Sequence, residues 1–473
     1  MNRSTKMKKG FLITIFCLLV FAVNIFGQTQ DVLIKNATIL TAINGTLLNT
    51  DILIQNGKIT KIGKGLTASS NAKVIDATGK FISPGIIDCH SHSMMDGGIN
   101  EGSYSVTSMT RTRDIINSND ITLYRALAGG VTGLNLLHGS ANAIGGQNTV
   151  VKAKYGKPIE ELPIPDAPPG IKFALGENPK RSNVPNLPGQ TRRYPANRMG
   201  VNEVIRDAFV RARDYKAEWD EYRAKAAKGD KTAIPPRKDL ELEPIVEILE
   251  GKRYVHSHGY RAEEYLALLQ LAEEFGFRVR TLQHGLETYK IASEVAKHGA
   301  GVSIFSDYWG YKIEAWDAIP YNAAILWKHG VVVSINSDDD ERMRRLNLDA
   351  AKVMKYGDVP EEEALKMVTL NPAKQLGIDK RTGSIEVGKD ADIVIWTAHP
   401  FSSYSRVETT MIEGEIYFDR TQDAAKRLAM EKERQELEKA DVNRAPGTGG
   451  GPPRVPSEKR KTEHDDAEKG GNN

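Results

Sequence analysis

Residues 84–93, PGIIDCHSHS, join an apolar run to two histidines placed two positions apart. Ile86 and Ile87 read as a buried strand that closes on Asp88, His90 and His92. Alternate side chains of a strand share a face, so His90 and His92 point the same way. The chain holds only ten histidines. Three more strand-like runs end in residues of the same chemistry: KRYVHSH (252–258) in His256 and His258, FRVRTLQHG (277–285) in His284, and GVVVSINSD (330–338) in Asp338.

Working outward, strand-like runs recur at 85–90, 130–139, 148–156, 170–178, 252–258, 277–285, 300–307 and 330–338. Helical patterns separate several of them, as in 261–275 and 289–299, where apolar residues return at spacings of three and four. Alternating strand and helix predicts a parallel sheet. This many units over residues 84–382 fit an α/β fold of the (β/α)8, TIM-like kind, whose sites sit at the carboxyl ends of the strands. His90, His92, His256, His258, His284 and Asp338 would then converge at one mouth. Imidazole nitrogen and carboxylate oxygen are the donors a divalent, zinc-like ion accepts, so the pattern predicts a metal site. Residues 179–250 interrupt the rhythm with a Pro/Asn/Gly-rich loop and a long charged helix, read as an extended connection on the active-site face.

Residues 28–83 are rich in β-formers, with an Asn-Gly hairpin signal at 55–58. The same texture returns at 383–420. The two ends are expected to build one small composite β-sandwich domain, with the barrel inserted between them. Residues 421–473 begin as a charged helix and pass into a Pro/Gly-rich, charged tail expected to be disordered.

The first residues carry Arg3, Lys6, Lys8 and Lys9, then the apolar run FLITIFCLLVFAVNIFG. That is the order of a cleaved signal peptide, residues 1–27, with Gly27 before the cut. Its apolar run is at or below the ~17–25 residues a membrane span needs. The expectation is an exported protein, periplasmic or extracellular, with no stable membrane insertion after cleavage. Of the two cysteines, Cys17 and Cys89, cleavage would leave Cys89 alone, without an intrachain disulfide. The 473 residues are 40% hydrophobic and 26% charged with a net charge of +3. This is an ordinary globular balance without the clustered basic footprint of a nucleic-acid binder. A small-molecule substrate is the expected partner, and a homo-oligomer is compatible with the composition.

PGIIDCHSH, the histidines closing two later strands, the Ser-Asp closing the last and the passage TLNPAKQLGIDKRTGSIEVGKDADIVIW (369–396) together resemble the amidohydrolase superfamily, in particular its exported, imidazolonepropionase-like branch. The resemblance covers about 30–420. It implies that His90 and His92 are first-strand metal ligands, that His256 is the fifth-strand ligand with His258 as its rival, and that His284 is the sixth-strand ligand. Asp338 would be both a ligand and the proton acceptor. It further implies a bridging carboxylate for a second ion, either Glu177, preferred because it needs no modification, or Lys172 in carbamylated form. One or two divalent ions, zinc foremost, are implied.

The implied activity is metal-dependent hydrolysis of a C–N bond in an amide, lactam, imide or dipeptide-type substrate. The metal would acidify a bound water, generating hydroxide for attack, and polarise the carbonyl. Asp338 would take the proton and return it to the leaving nitrogen. His284 or His258 would stabilise the oxyanion. The alternative is an aminohydrolase (deaminase) of a heterocyclic ring, whose members often place a Glu three residues after the fifth-strand histidine. Here that place is Gly259 or Arg261. A catalytically silent metal-binding scaffold is the remaining alternative. His138 and the aromatic run 305–316 are candidate pocket walls. Arg192 and Arg193 are candidates to meet a substrate carboxylate, or else solvated charges.

Overall fold

The computed structural model describes residues 30–182 and 193–442. The expected signal peptide, Arg192 and the expected disordered tail lie outside the described residues. Among those described, no helix is long and apolar enough to cross a membrane.

The amino-terminal strands are β1 (Val32–Leu40), β2 (Thr46–Gln55), β3 (Lys58–Gly63), β4 (Lys73–Asp76) and β5 (Phe81–Pro84). Asn56 and Gly57 turn β2 into β3 with φ of 51° and 74°, the left-handed pair that a tight hairpin requires. Barrel strands follow: β6 (Ile86–Ser91), β7 (Val131–Leu136), β8 (Ile144–Lys152), β9 (Gly170–Ala174), β10 (Tyr254–His258), β11 (Val279–His284), β12 (Gly301–Ile304) and β13 (Val333–Ile335). The chain then returns through β14 (Ile393–Trp396), β15 (Val407–Ile412) and β16 (Glu415–Asp419).

Both chain ends meet in one sheet of order β16-β15-β14-β5-β1-β2-β3, with β4 beside β1. β14 runs antiparallel to β5 and so stitches the two ends together. Ile34, Ile52, Ile54, Ile59, Ile82, Ile393 and Ile395 share its core. These strands lie on one hydrogen-bonded path, with β4 off it beside β1.

The second sheet, β6 to β13 in chain order, curls into a nearly closed barrel. It is not wholly parallel: β8 runs antiparallel to both β7 and β9. A parallel return needs a crossover of a dozen or more residues, and the connection 137–143 is too short, so β7 and β8 form a hairpin. The seam between β13 and β6 is bridged by residues that follow the helix Glu361–Lys366. Ile335 N–H donates to Met367 O and Ile87 N–H to Val368 O, both at 2.9 Å. At the carboxyl end of the same seam, Asp338 N–H donates to His90 O at 3.2 Å. The helix Leu370–Leu376 caps the amino end, packing Ala373 and Leu376 against Ile87 and Cys89.

The charged insertion helix spans Arg198–Ala227 and buries Val201, Val204, Ile205, Ala208, Phe209, Ala212 and Tyr215. That periodic stripe lays its first half against the barrel wall. Phe209 stacks on Phe277 at 4.4 Å and 4°. It therefore serves as the outer helix between β9 and β10, with Arg198 at its start paired to Glu264 and Glu314. The stripe fades in the exposed second half.

Candidate metal centre

His90 lies in β6 and His92 just past it. Asp338 follows β13, His284 ends β11 and His258 ends β10. The Nε2 atoms of His90 and His92 stand 3.3 Å apart. Asp338 Oδ1 is 3.3 Å from the first and 3.0 Å from the second. These three ligand atoms form a candidate metal-holding group. Donors bound at ~2.0–2.1 Å to one tetrahedral ion stand roughly 3.3 Å from each other, so the spacing fits.

The tautomers fit as well. His90 Nδ1 lies 3.2 Å from Gln283 Oε1 and His92 Nδ1 lies 2.8 Å from the Leu137 carbonyl. Each acceptor takes the Nδ1 proton and leaves an Nε2 lone pair aimed inward, as ligating histidines require. His284 Nε2 lies 3.8 Å from Asp338 Oδ2, too far for a hydrogen bond. Both ring nitrogens of His284 and of His258 are buried without a hydrogen-bond partner among the described residues. Their rings lie 4.6 Å apart. Buried polar atoms are normally satisfied, and a cation would satisfy these. His284 and Asp338 also adopt positive φ, 72° and 50°, a strained conformation for side chains of their kind that clusters at functional sites.

The geometry separates the rival candidates. His256 and His258 share a face of β10, but a strand rises ~3.3 Å per residue. His256 therefore sits a layer deeper, paired with Lys172 of β9, and its Nδ1 has no hydrogen-bond partner among the described residues. His258 is the one level with His284. Height within the barrel thus sets His258, the rival of the expected His256, beside His284. Glu177 is likewise displaced. It lies past Gly176, beyond the strand, with its amide donating to Glu314 Oε1 at 3.0 Å, and it is not in the candidate group. Lys172 instead reaches the histidines, its Nζ 3.2 Å from His90 Nε2 and 3.1 Å from the His138 carbonyl.

Electrostatics favour the ligand forms of these groups, neutral imidazole and ionised carboxylate. Burial, with Lys172 adding to it, holds His90 well below the usual imidazole range. Burial likewise depresses His258 well below it, and His256 and His284 to about 3. For Asp338 burial works toward the neutral acid, but His90, His92 and His284 hold it well below the ordinary carboxylate range.

His138 does not line the pocket chemically. Its Nδ1–H donates to Gly139 O and its Nε2 accepts the Glu101 amide, both at 2.9 Å. Arg193 is a latch: its guanidinium donates to the carbonyls of Gly102, Tyr104, Ala141 and Pro179. The aromatic run does form a wall. Phe305 stacks on His284 at 4.8 Å, and Tyr308 packs on Phe305 at 4.4 Å. Three participants were absent from the sequence reading: Gln283, which orients His90, Tyr260, stacked on His284 at 5.3 Å, and Lys312 above Tyr260. Gln283 and Tyr260 adjoin the motif histidines, the one cue the sequence offers.

Comparison with known proteins follows the same line. The Amidohydrolase family model matches residues 319–417. Amidohydrolase tasK of Hapsidospora irregularis is 30% identical over 397 residues, 78% of this chain, and the chain spans 40% of the length of tasK. An imidazolonepropionase of Thermoplasma volcanium is 24% identical over 391 residues, covering 79% of this chain and 91% of its own. The crystal structure of an amidohydrolase from Thermotoga maritima MSB8 superposes with a TM-score of 0.73 at 35% identity, covering 82% of this chain and 100% of the other. Alike in sequence and fold over the whole of that last protein, this chain belongs to the amidohydrolase family.

Proposed function

We propose that the protein is a metal-dependent hydrolase of a small-molecule amide, lactam, imide or dipeptide-type substrate. The observation that carries this reading is the convergence of His90 Nε2, His92 Nε2 and Asp338 Oδ1 within 3.0–3.3 Å of one another. His90, His92 and Asp338 would hold one divalent ion, zinc by donor chemistry. Lys172, carbamylated, with His258 and His284 would hold a second. The metal supplies Lewis acidity toward the substrate carbonyl and an acidified water.

The remaining steps belong to the chain. Asp338, kept ionised by its histidines, accepts the proton of the attacking water and delivers it to the departing nitrogen. Phe305, Tyr308 and Tyr260 exclude water from one wall. Lys172 and His258 replace Glu177 and His256 in this reading on grounds of reach. Export is part of the proposal, resting on the basic-then-apolar order of residues 1–27, and cell fractionation tests it.

The decisive experiment combines elemental analysis with a screen of dipeptides, N-acyl amino acids, lactams and aminated heterocycles. Wild-type protein should hold at least one equivalent of zinc and turn over a member of the first three classes. D338N should lose about 10²–10⁴-fold in kcat, the range typical of a lost general acid/base. Fewer than half an equivalent of metal after zinc or manganese loading, with no turnover, would overturn the reading. Exclusive turnover of the heterocycles would replace it with the deaminase.

A further inference from the structure

Where the barrel meets the composite sheet lies a cavity of about 320 Å³ whose wall carries Arg344, Arg345, Arg406 and Arg420 and no acidic side chain. None of its lining residues belongs to the candidate metal group. The four arginines come from three segments. Arg344 and Arg345 end the short helical turn Arg342–Arg345, Arg406 precedes β15, and Arg420 follows β16. Close backbone packing fixes the first pair. A Cβ built on Gly129 would stand 2.4 Å from Arg344 Cα, so only glycine lets the turn sit this close to the chain that enters β7.

The positive charge on this wall is left largely uncompensated. Of the four, only Arg344 pairs with a carboxylate, that of Glu341, which also takes Arg125 at 2.6 Å. Its Nε is buried without a hydrogen-bond partner among the described residues. Arg406 donates to the Ser403 and Ser405 carbonyls, both at 2.8 Å, and Arg420 to the Val407 carbonyl at 2.6 Å. These acceptors are neutral. The neighbouring acids are taken, Glu408 by Lys80 and Asp423 by Arg427. Burial, with Arg406 beside it, lowers the Arg420 guanidinium from its ordinary value against the pull of Asp423 and Glu408. Like charges gathered on one wall repel each other, and a bound anion would relieve that repulsion.

We propose that this cavity binds a phosphate monoester, its oxyanion held among Arg345, Arg406 and Arg420 and its organic part against Leu348 and Trp396, which line the same space. A phosphate monoester carries about −1.5 to −2 charges and three acceptor oxygens, and guanidinium forks match those oxygens in pairs. A carboxylate, with one charge, would leave most of the wall unneutralised. The volume lies in the ~300–1,000 Å³ range of small-molecule sites, which leaves room for the organic part. The inference is independent of the hydrolase reading, since it uses none of the metal-facing residues.

The test uses the full-length protein as wild type, R345Q, R345Q/R406Q and D338N. Arg345 and Arg406 are exposed, so their replacement removes charge without opening the core, and R345Q alone breaks no contact if the double variant melts early. Calorimetry at low salt compares phenyl phosphate with phenylacetate. Wild type and D338N should bind the phosphate ~10-fold or more tighter than the carboxylate, and R345Q/R406Q should lose at least that factor, with R345Q in between. A second arm floats the protein with phosphatidylcholine vesicles, with and without phosphatidic acid. Capture that needs both phosphatidic acid and the two arginines, without binding of phenyl phosphate, supports the site and names a lipid headgroup as the source of the ester. Binding of phenyl phosphate without capture names a soluble one. No preference for phosphate in either arm, or binding unchanged in R345Q/R406Q, overturns the inference. So does binding lost in D338N and kept in R345Q/R406Q, which places the anion at the metal centre.

Discussion

Two neutral imidazole nitrogens with facing lone pairs at 3.3 Å repel each other unless something positive lies between them. The structure holds His90 and His92 in that arrangement by giving each Nδ1–H a fixed acceptor. The arrangement is therefore preorganised for a cation. The same logic ranks the two histidines of β10. His258 touches the His284 ring, whereas His256 is paired in register with Lys172 one layer down. H258A is expected to lower bound metal by at least half and to reduce kcat strongly. H256A should keep most of its metal and lose about 1–3 kcal/mol of stability as a buried side chain is truncated. Elemental analysis after gel filtration and urea denaturation of both variants check this pair of outcomes.

Between elements, the most concentrated charge lies where the barrel meets the composite sheet. Lys152 of β8 is buried, with its Nζ 2.6 Å from Asp390, 2.9 Å from Asp392 and 3.1 Å from Glu413. Burial alone would discharge the lysine, but the three carboxylates hold its pKa above the ordinary value. K152M would leave Asp392 buried without its cation, while Asp390 keeps Lys58 and Arg381. Breaking a buried network on one side costs about 3–5 kcal/mol, to be read as a lowered urea midpoint. D392N in the K152M background should recover part of that loss, because it removes the stranded charge. This junction was not visible in the local pattern, since Lys152 and Asp390 are far apart in the chain. β8 itself shows a related limit. Its apolar content marked a strand, but its direction followed from the brevity of residues 137–143, which only a hairpin can accommodate.

On the scale of the whole molecule, the insertion helix is fastened at the barrel's carboxyl end by two buried glutamates facing Arg198. Burial, reinforced by Glu314 and opposed by Arg198, pushes the Glu264 carboxyl from the ordinary 4.5 up to about 7. A raised acid keeps its proton in the fold after the unfolded chain has lost it. From the unfolded to the folded pKa, stability therefore falls as pH rises, and above the folded value the penalty is constant. E264Q, which mimics the protonated form, should be the more stable protein at pH 8, by no more than about 3 kcal/mol. It should match wild type near pH 4.5. Scanning calorimetry of both proteins across that window checks the sign. A difference that grows toward acid would contradict it.

Much of this protein is written in its local sequence. Period-two and period-three-to-four patterns marked the barrel strands and helices, the Asn56–Gly57 turn announced its hairpin, and His90, His92, His284 and Asp338 were recognisable as strand-end donors because chemistry and position are both local properties. What tertiary structure decided is everything that depends on height, reach and direction. His258 rather than His256 stands level with His284, Lys172 rather than Glu177 reaches His90, and Arg193 spends its guanidinium on carbonyls. Lys312 comes to rest over Tyr260 from within the aromatic run 305–316. A strand's alternation says which face a side chain occupies, but the layer it fills is set by the stagger of neighbouring strands, and that stagger exists only once the barrel has formed.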